Sequence, residues 1–188
     1  MLERVKENKK ENRLAGILSN TKSKYIVGTV LLSGIGVALP RIFHILAGSS
    51  AGAMFLPMHI AVLIAALTFG AISASIVAGS SVMLNYLLTG MPALARLPYM
   101  LIELVIYAVL LSLFNKKFNS YVSLIATIIL GRVLYAGILF AAINVFGFQT
   151  YGISVIESIK VGLPGIIIQL ASVPFIAKAI KKGIKLDV

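Results

Sequence analysis

Six apolar runs, at roughly 25–47, 54–70, 72–89, 98–114, 121–146 and 153–177, occupy most of this chain, and polar residues collect in the short stretches between them. Each run is close to the ~20 residues that an α-helix needs to cross the hydrocarbon layer of a bilayer. They are too long and too evenly apolar to be the alternating strands of about ten residues that build a membrane β-barrel. The pattern therefore predicts an all-α integral membrane protein with six transmembrane helices. Residues 1–24 read as a basic cytoplasmic tail, 25–180 as the six-helix membrane domain and 181–188 as a second basic tail. The second connection, Phe69-Gly70-Ala71, is almost absent, so the second and third helices must form a tight hairpin that uses the backbone freedom of Gly70.

Composition agrees with the pattern. Of 188 residues, 59% are hydrophobic and 12% charged, and the mean hydropathy of +1.00 excludes an ordinary soluble domain. The net charge of +11 is unevenly spread: seven basic residues precede the first run, Lys116 and Lys117 fill the fourth connection, and four lysines follow from Lys178 onward. By the positive-inside rule these segments and both termini are cytoplasmic, which leaves 48–53, 90–97 and 147–152 outside. In the first tail Glu3, Glu7 and Glu11 recur every fourth residue among lysines, a spacing that suits either a surface-lying helix or a disordered segment. Cysteine is absent, which removes disulfides, thiolate metal sites and cysteine nucleophiles.

Charges inside a span are costly and call for a pairing or functional reason. Four stand out: Glu103, Arg132, Glu157 and Lys160. Tyr107 lies one turn from Glu103, Arg132 and Tyr135 are three apart, and so are Glu157 and Lys160, so each pair shares a helix face. All three pairs can line one cavity in the outer half. The competing reading makes Glu103–Arg132 and Glu157–Lys160 structural ion pairs, with Lys160 also able to snorkel to the headgroups. Asn85 and Asn144 add amides to the expected pocket, and Arg96, held between Pro92 and Pro98, adds a cation to a stiff outer loop. His44 and His59 flank the first loop, but two histidines without a carboxylate at ligand spacing point to hydrogen bonding rather than to metal. No cofactor is expected. In the first helix Gly34 and Ala38 have the small-xxx-small spacing that lets another helix approach closely, inside the monomer or from a partner subunit.

Three strings carry a family resemblance: Phe55-Leu56-Pro57-Met58-His59-Ile60 opening the second helix, Thr89-Gly90-Met91-Pro92 after the third, and Glu103-Leu104 in the fourth. With them the chain resembles, over nearly its whole length, the substrate-binding S components of energy-coupling factor (ECF) transporters, which import vitamins in prokaryotes. Gly34-Ile35-Gly36-Val37-Ala38 resembles the family's Ala-x-x-x-Ala docking motif, with Gly34 in place of the first alanine.

The resemblance implies a prokaryotic plasma-membrane protein that binds its vitamin near the outer face, under the first and third loops. It implies contacts from helices four to six, and together with the residues singled out above the expected substrate-binding set is Phe55, Met58, His59, Asn85, Arg96, Glu103, Tyr107, Arg132, Tyr135, Asn144, Glu157 and Lys160. It further implies association with a transmembrane coupling subunit and two ATPases, and toppling in the membrane to deliver the ligand. The chain has no Gly-x-x-x-x-Gly-Lys-Ser/Thr phosphate loop, so ATP hydrolysis by that route belongs to another subunit.

The ring-stacking tyrosines and mixed polar groups suit a small heteroaromatic ligand, either pyridoxine-like, a hydroxymethylpyrimidine, or benzimidazole or its riboside. The competing functions are a self-sufficient secondary transporter or channel, an intramembrane enzyme and an assembly subunit. No Ser/His/Asp or His-Glu-x-x-His pattern supports the enzyme.

Overall fold

The computed structural model describes residues 21–48, 54–144 and 155–184, with side chains in the last stretch from Lys160 onward. It contains α1 (Thr21–Ala47), α2 (Pro57–Phe69), α3 (Ala71–Thr89), α4 (Leu97–Phe114), α5 (Ser120–Asn144) and α6 (Val155–Gly183). There is no strand among the described residues. Five of the helices, all except α2, are long and apolar enough to cross a membrane.

The expected second span is the exception. Leu56 takes left-handed backbone (φ 48°) and Pro57, which has no N–H to lose, starts a new helix, so the run from 54 to 70 is helical in one piece only from Pro57. At 13 residues α2 rises only about 20 Å. It has no polar stripe, and twelve of its residues are buried, the arrangement expected of a helix that is apolar all round. α2 packs against α1, α3, α4 and α6, while α5 lies outside it against α4 and α6. The surrounding helices instead turn large apolar side chains outward, among them Ile26, Ile72, Ile129, Phe140 and Phe175, as lipid-facing surfaces do.

Gly70 makes the hairpin that the sequence requires. Its φ of 82° reverses the chain in one residue, and its carbonyl accepts from the N–H of Ala74 at 3.1 Å to start α3. α1 and α3 are then joined by polar groups. Pro40 lies inside α1 and has no N–H, so the carbonyl of Gly36 lacks its helical donor. The Asn85 side chain replaces it, donating from Nδ2 to the Gly36 oxygen at 3.1 Å and to that of Ser81 at 2.8 Å. A side chain at Gly36 would collide with Ser81, and one at Gly28 with the Phe69 ring. Gly34 and Ala38 lie on the opposite, exposed face, and nothing stands within 4 Å of where a Gly34 side chain would begin. The small residues of α1 thus serve two surfaces.

The ends of the domain differ from the expected boundaries. α1 already includes Lys22 and Lys24, and α6 continues to Gly183, so Lys181 and Lys182 project from a helix rather than a tail. On the inner side of α6, Gly165 sits against the α2 entry: a Cβ there would be 2.7 Å from the carbonyl carbon and oxygen of Phe55.

Candidate functional site

The expected site residues on α2, α4 and α5 come together at the end of the bundle away from the lysines. Glu103 is in the second turn of α4 and Arg132 is midway along α5, and their helices pack directly. Arg132 Nη1 lies 2.9 Å from Glu103 Oε1, and each side chain is 9% exposed. His59, in the first turn of α2, brings Nε2 to 3.7 Å from the same carboxylate oxygen, a gap longer than a hydrogen bond. Both ring nitrogens of His59 are buried without a hydrogen-bond partner among the described residues.

The tyrosines enclose this group. Tyr107, one turn beyond Glu103 and 2% exposed, meets the His59 ring edge to face, with centroids 5.4 Å apart. Gly131 makes room for it, since a Cβ there would stand 3.1 Å from the Tyr107 ring. Tyr135 is buried one turn beyond Arg132, within electrostatic reach of Glu103, Arg132 and Arg96. Toward the basic end the same faces of α4 and α5 continue into the fully buried Leu111 and Leu124, so the polar groups are confined to one end of a solid apolar core.

The other expected residues take different positions. Met58 is buried beside His59, and Phe55 packs its ring on Phe43 at 5.0 Å between centroids. Arg96 is exposed at the start of α4. Its loop is shaped by Gly90, whose N–H caps α3 on the Tyr86 carbonyl at 2.7 Å, and by a cis Met91–Pro92 peptide. Asn85 belongs to the α1–α3 seam, where its amide N–H groups are engaged. Asn144 is exposed and donates to the Phe140 carbonyl of its own helix at 2.9 Å. Lys160 is exposed, whereas the Glu157 side chain and residues 49–53 and 145–154 lie outside the described residues. His44 is exposed in the last turn of α1.

One buried polar residue near this level was not among those expected. Gln169 of α6 is 2% exposed and its Nε2 has no hydrogen-bond partner among the described residues. It lies one turn beyond Gly165, which touches the α2 entry, and this places it at the level of the first turn of α2. A lone amide in Ile166-Ile167-Ile168-Gln169-Leu170 was the available signal.

Chemically, the site offers a carboxylate–guanidinium pair, an imidazole near that carboxylate with no hydrogen-bond partner among the described residues, and two phenols. Among the described residues no three His, Asp, Glu or Cys side chains gather as a metal site would require. No protein-family model, curated protein or solved structure matches the chain.

Proposed function

We propose that this protein is the substrate-binding subunit of an ECF-type importer in a prokaryotic plasma membrane, with both termini in the cytosol. The observation that carries the reading is the buried group of His59, Glu103, Tyr107, Arg132 and Tyr135, drawn from three helices to one end of the bundle. Desolvating an ion pair and a histidine is costly, and the imidazole, 3.7 Å from the Glu103 carboxylate, has no hydrogen-bond partner among the described residues to offset its share. A ligand that bonds these groups repays that cost. The strings around Pro57, Gly90 and Glu103 that resemble S components lie at this same end.

Because Glu103 and Arg132 satisfy each other's charge, the group favours a neutral ligand with hydrogen-bonding edges over a strong anion. A small heteroaromatic ring such as a pyridoxine-like compound, a hydroxymethylpyrimidine or a benzimidazole fits, stacked on tyrosine and bonded to His59. The exposed Gly34–Ala38 face of α1 is then the surface for the coupling subunit, and two ATPases supply the energy for toppling.

The deciding experiment is uptake in proteoliposomes, after co-purified small molecules have been identified by native mass spectrometry. The isolated chain is expected to bind its ligand tightly and to transport only when the coupling subunit and ATPases are added. Transport by the isolated chain driven by a proton gradient would replace this reading with a secondary transporter, in which Glu103 and His59 carry the proton.

A further inference from the structure

The opposite end of the bundle holds a second feature. All the described lysines except Lys160 gather there: Lys22 and Lys24 on α1, Lys116 and Lys117 between α4 and α5, and Lys178, Lys181 and Lys182 on α6. Glu103, the acidic residue whose side chain is described, lies at the other end. Within this basic surface is a cavity of about 290 Å³ between the last turns of α2, the start of α5 and the end of α6. Leu67, Pro174 and Ala177 give it an apolar floor, and Tyr121, Lys178 and Lys181 give it a polar rim.

Several features of this cavity suit one kind of guest. Lys178 and Lys181 are three residues apart on one helix face, so their ammonium groups repel each other unless an anion lies between them. Neither forms an ion pair among the described residues. Ser120 and Tyr121 add the first turn of α5, the positive end of a helix of 25 residues. The apolar floor gives no advantage to a small hydrated anion. It suits an anion attached to hydrocarbon, and Tyr121 is the residue type that sits at the depth of lipid headgroups.

We propose that this cavity binds the phosphodiester headgroup of an anionic phospholipid, with the phosphate between Lys178 and Lys181 and the glycerol carbons over Leu67 and Ala177. Such a site differs from general attraction to an anionic leaflet in having walls, and hence a fixed stoichiometry. It stands independently of the transport function.

Native mass spectrometry of the full chain in detergent tests this with phosphatidylglycerol, phosphatidylcholine of the same chain length, and inorganic phosphate as separate probes. One retained phosphatidylglycerol, not matched by phosphatidylcholine, is expected. Lys178→Gln/Lys181→Gln should weaken its apparent affinity about thirtyfold, at ~1 kcal/mol for each direct lysine–phosphate hydrogen bond lost. Lys116→Gln/Lys117→Gln removes equal charge outside the cavity, where no direct contact is lost, and should weaken it less than about threefold. Lys178→Arg/Lys181→Arg should retain the lipid, and thermal melting establishes that each variant is folded. Equal losses from the two glutamine pairs would reduce the site to diffuse surface charge, and so overturn it. Equal retention of phosphatidylcholine, or displacement of the lipid by millimolar phosphate, would overturn the assignment to an anionic lipid.

Discussion

Asn85 of α3 donates its side-chain amide to the backbone carbonyl of Gly36, the group that Pro40 deprives of a helical partner. In water that carbonyl would find a solvent molecule. Inside a membrane-spanning bundle it would not, so a neighbouring helix has to supply the donor.

Asn85→Leu should therefore lower stability by about 1–3 kcal/mol, the cost of leaving a buried acceptor unmade. Pro40→Ala restores an N–H four residues after Gly36 and should recover much of that loss in the double variant. Thermal melts of the four proteins of this cycle in detergent give the coupling; simple additivity would mean that Asn85 acts through something other than the Gly36 carbonyl.

Removing one charge from the α4–α5 pair has two separable effects. Glu103→Gln leaves Arg132 without its carboxylate partner and should cost about 3–5 kcal/mol of stability, part of which Glu103→Gln/Arg132→Met should restore. On the proposed function the same change also weakens ligand binding at least tenfold, or about 1.4 kcal/mol, in the stabilised double variant as well as the single one. Calorimetric titration that finds full affinity in the double variant would make the pair a brace alone.

Gly165→Val would drive a side chain into the Phe55 carbonyl, which is backbone and cannot swing aside. A loss of roughly 1–3 kcal/mol or more is expected from such overpacking. Gly34→Val, at a position with open space around it, should leave the melting temperature unchanged.

The two faces of α1 give a further contrast. Gly36→Val should destabilise the protein through its collision with Ser81, whereas on the proposed function Gly34→Val should fold and bind ligand yet fail to associate with a coupling subunit in a pull-down assay. Unimpaired association would move the docking surface away from Gly34 and Ala38.

Much of the architecture was readable from apolar run length, because a bilayer forces helices of a set size and sets their ends where polarity returns. The Gly70 hairpin and the meeting of Glu103, Tyr107, Arg132 and Tyr135 followed from the same periodicity. What the runs concealed was α2: an apolar stretch from 54 to 70 has the composition of a span, and the left-handed Leu56 before Pro57 divides it, a break that only the proline signals in the sequence. Asn85 misled for a related reason. A polar residue in an apolar run signals a partner, but the sequence does not say whether that partner is a ligand or, as here, a carbonyl 49 positions away. Gln169 carried the same signal and was passed over because it has no charge.

The brevity of α2 has one more outcome. α2 and α3 diverge from Gly70 with 13 and 19 residues, so the central helix stops roughly 9 Å before its neighbour does. Its first turn, with the buried His59, thus lies below the end of α3, and there the backbone N–H of His59 donates to the Leu56 carbonyl at 3.0 Å while Phe55 packs over the entry against Gly165. On the proposed function, a ligand must therefore pass the end of α3 before it reaches His59.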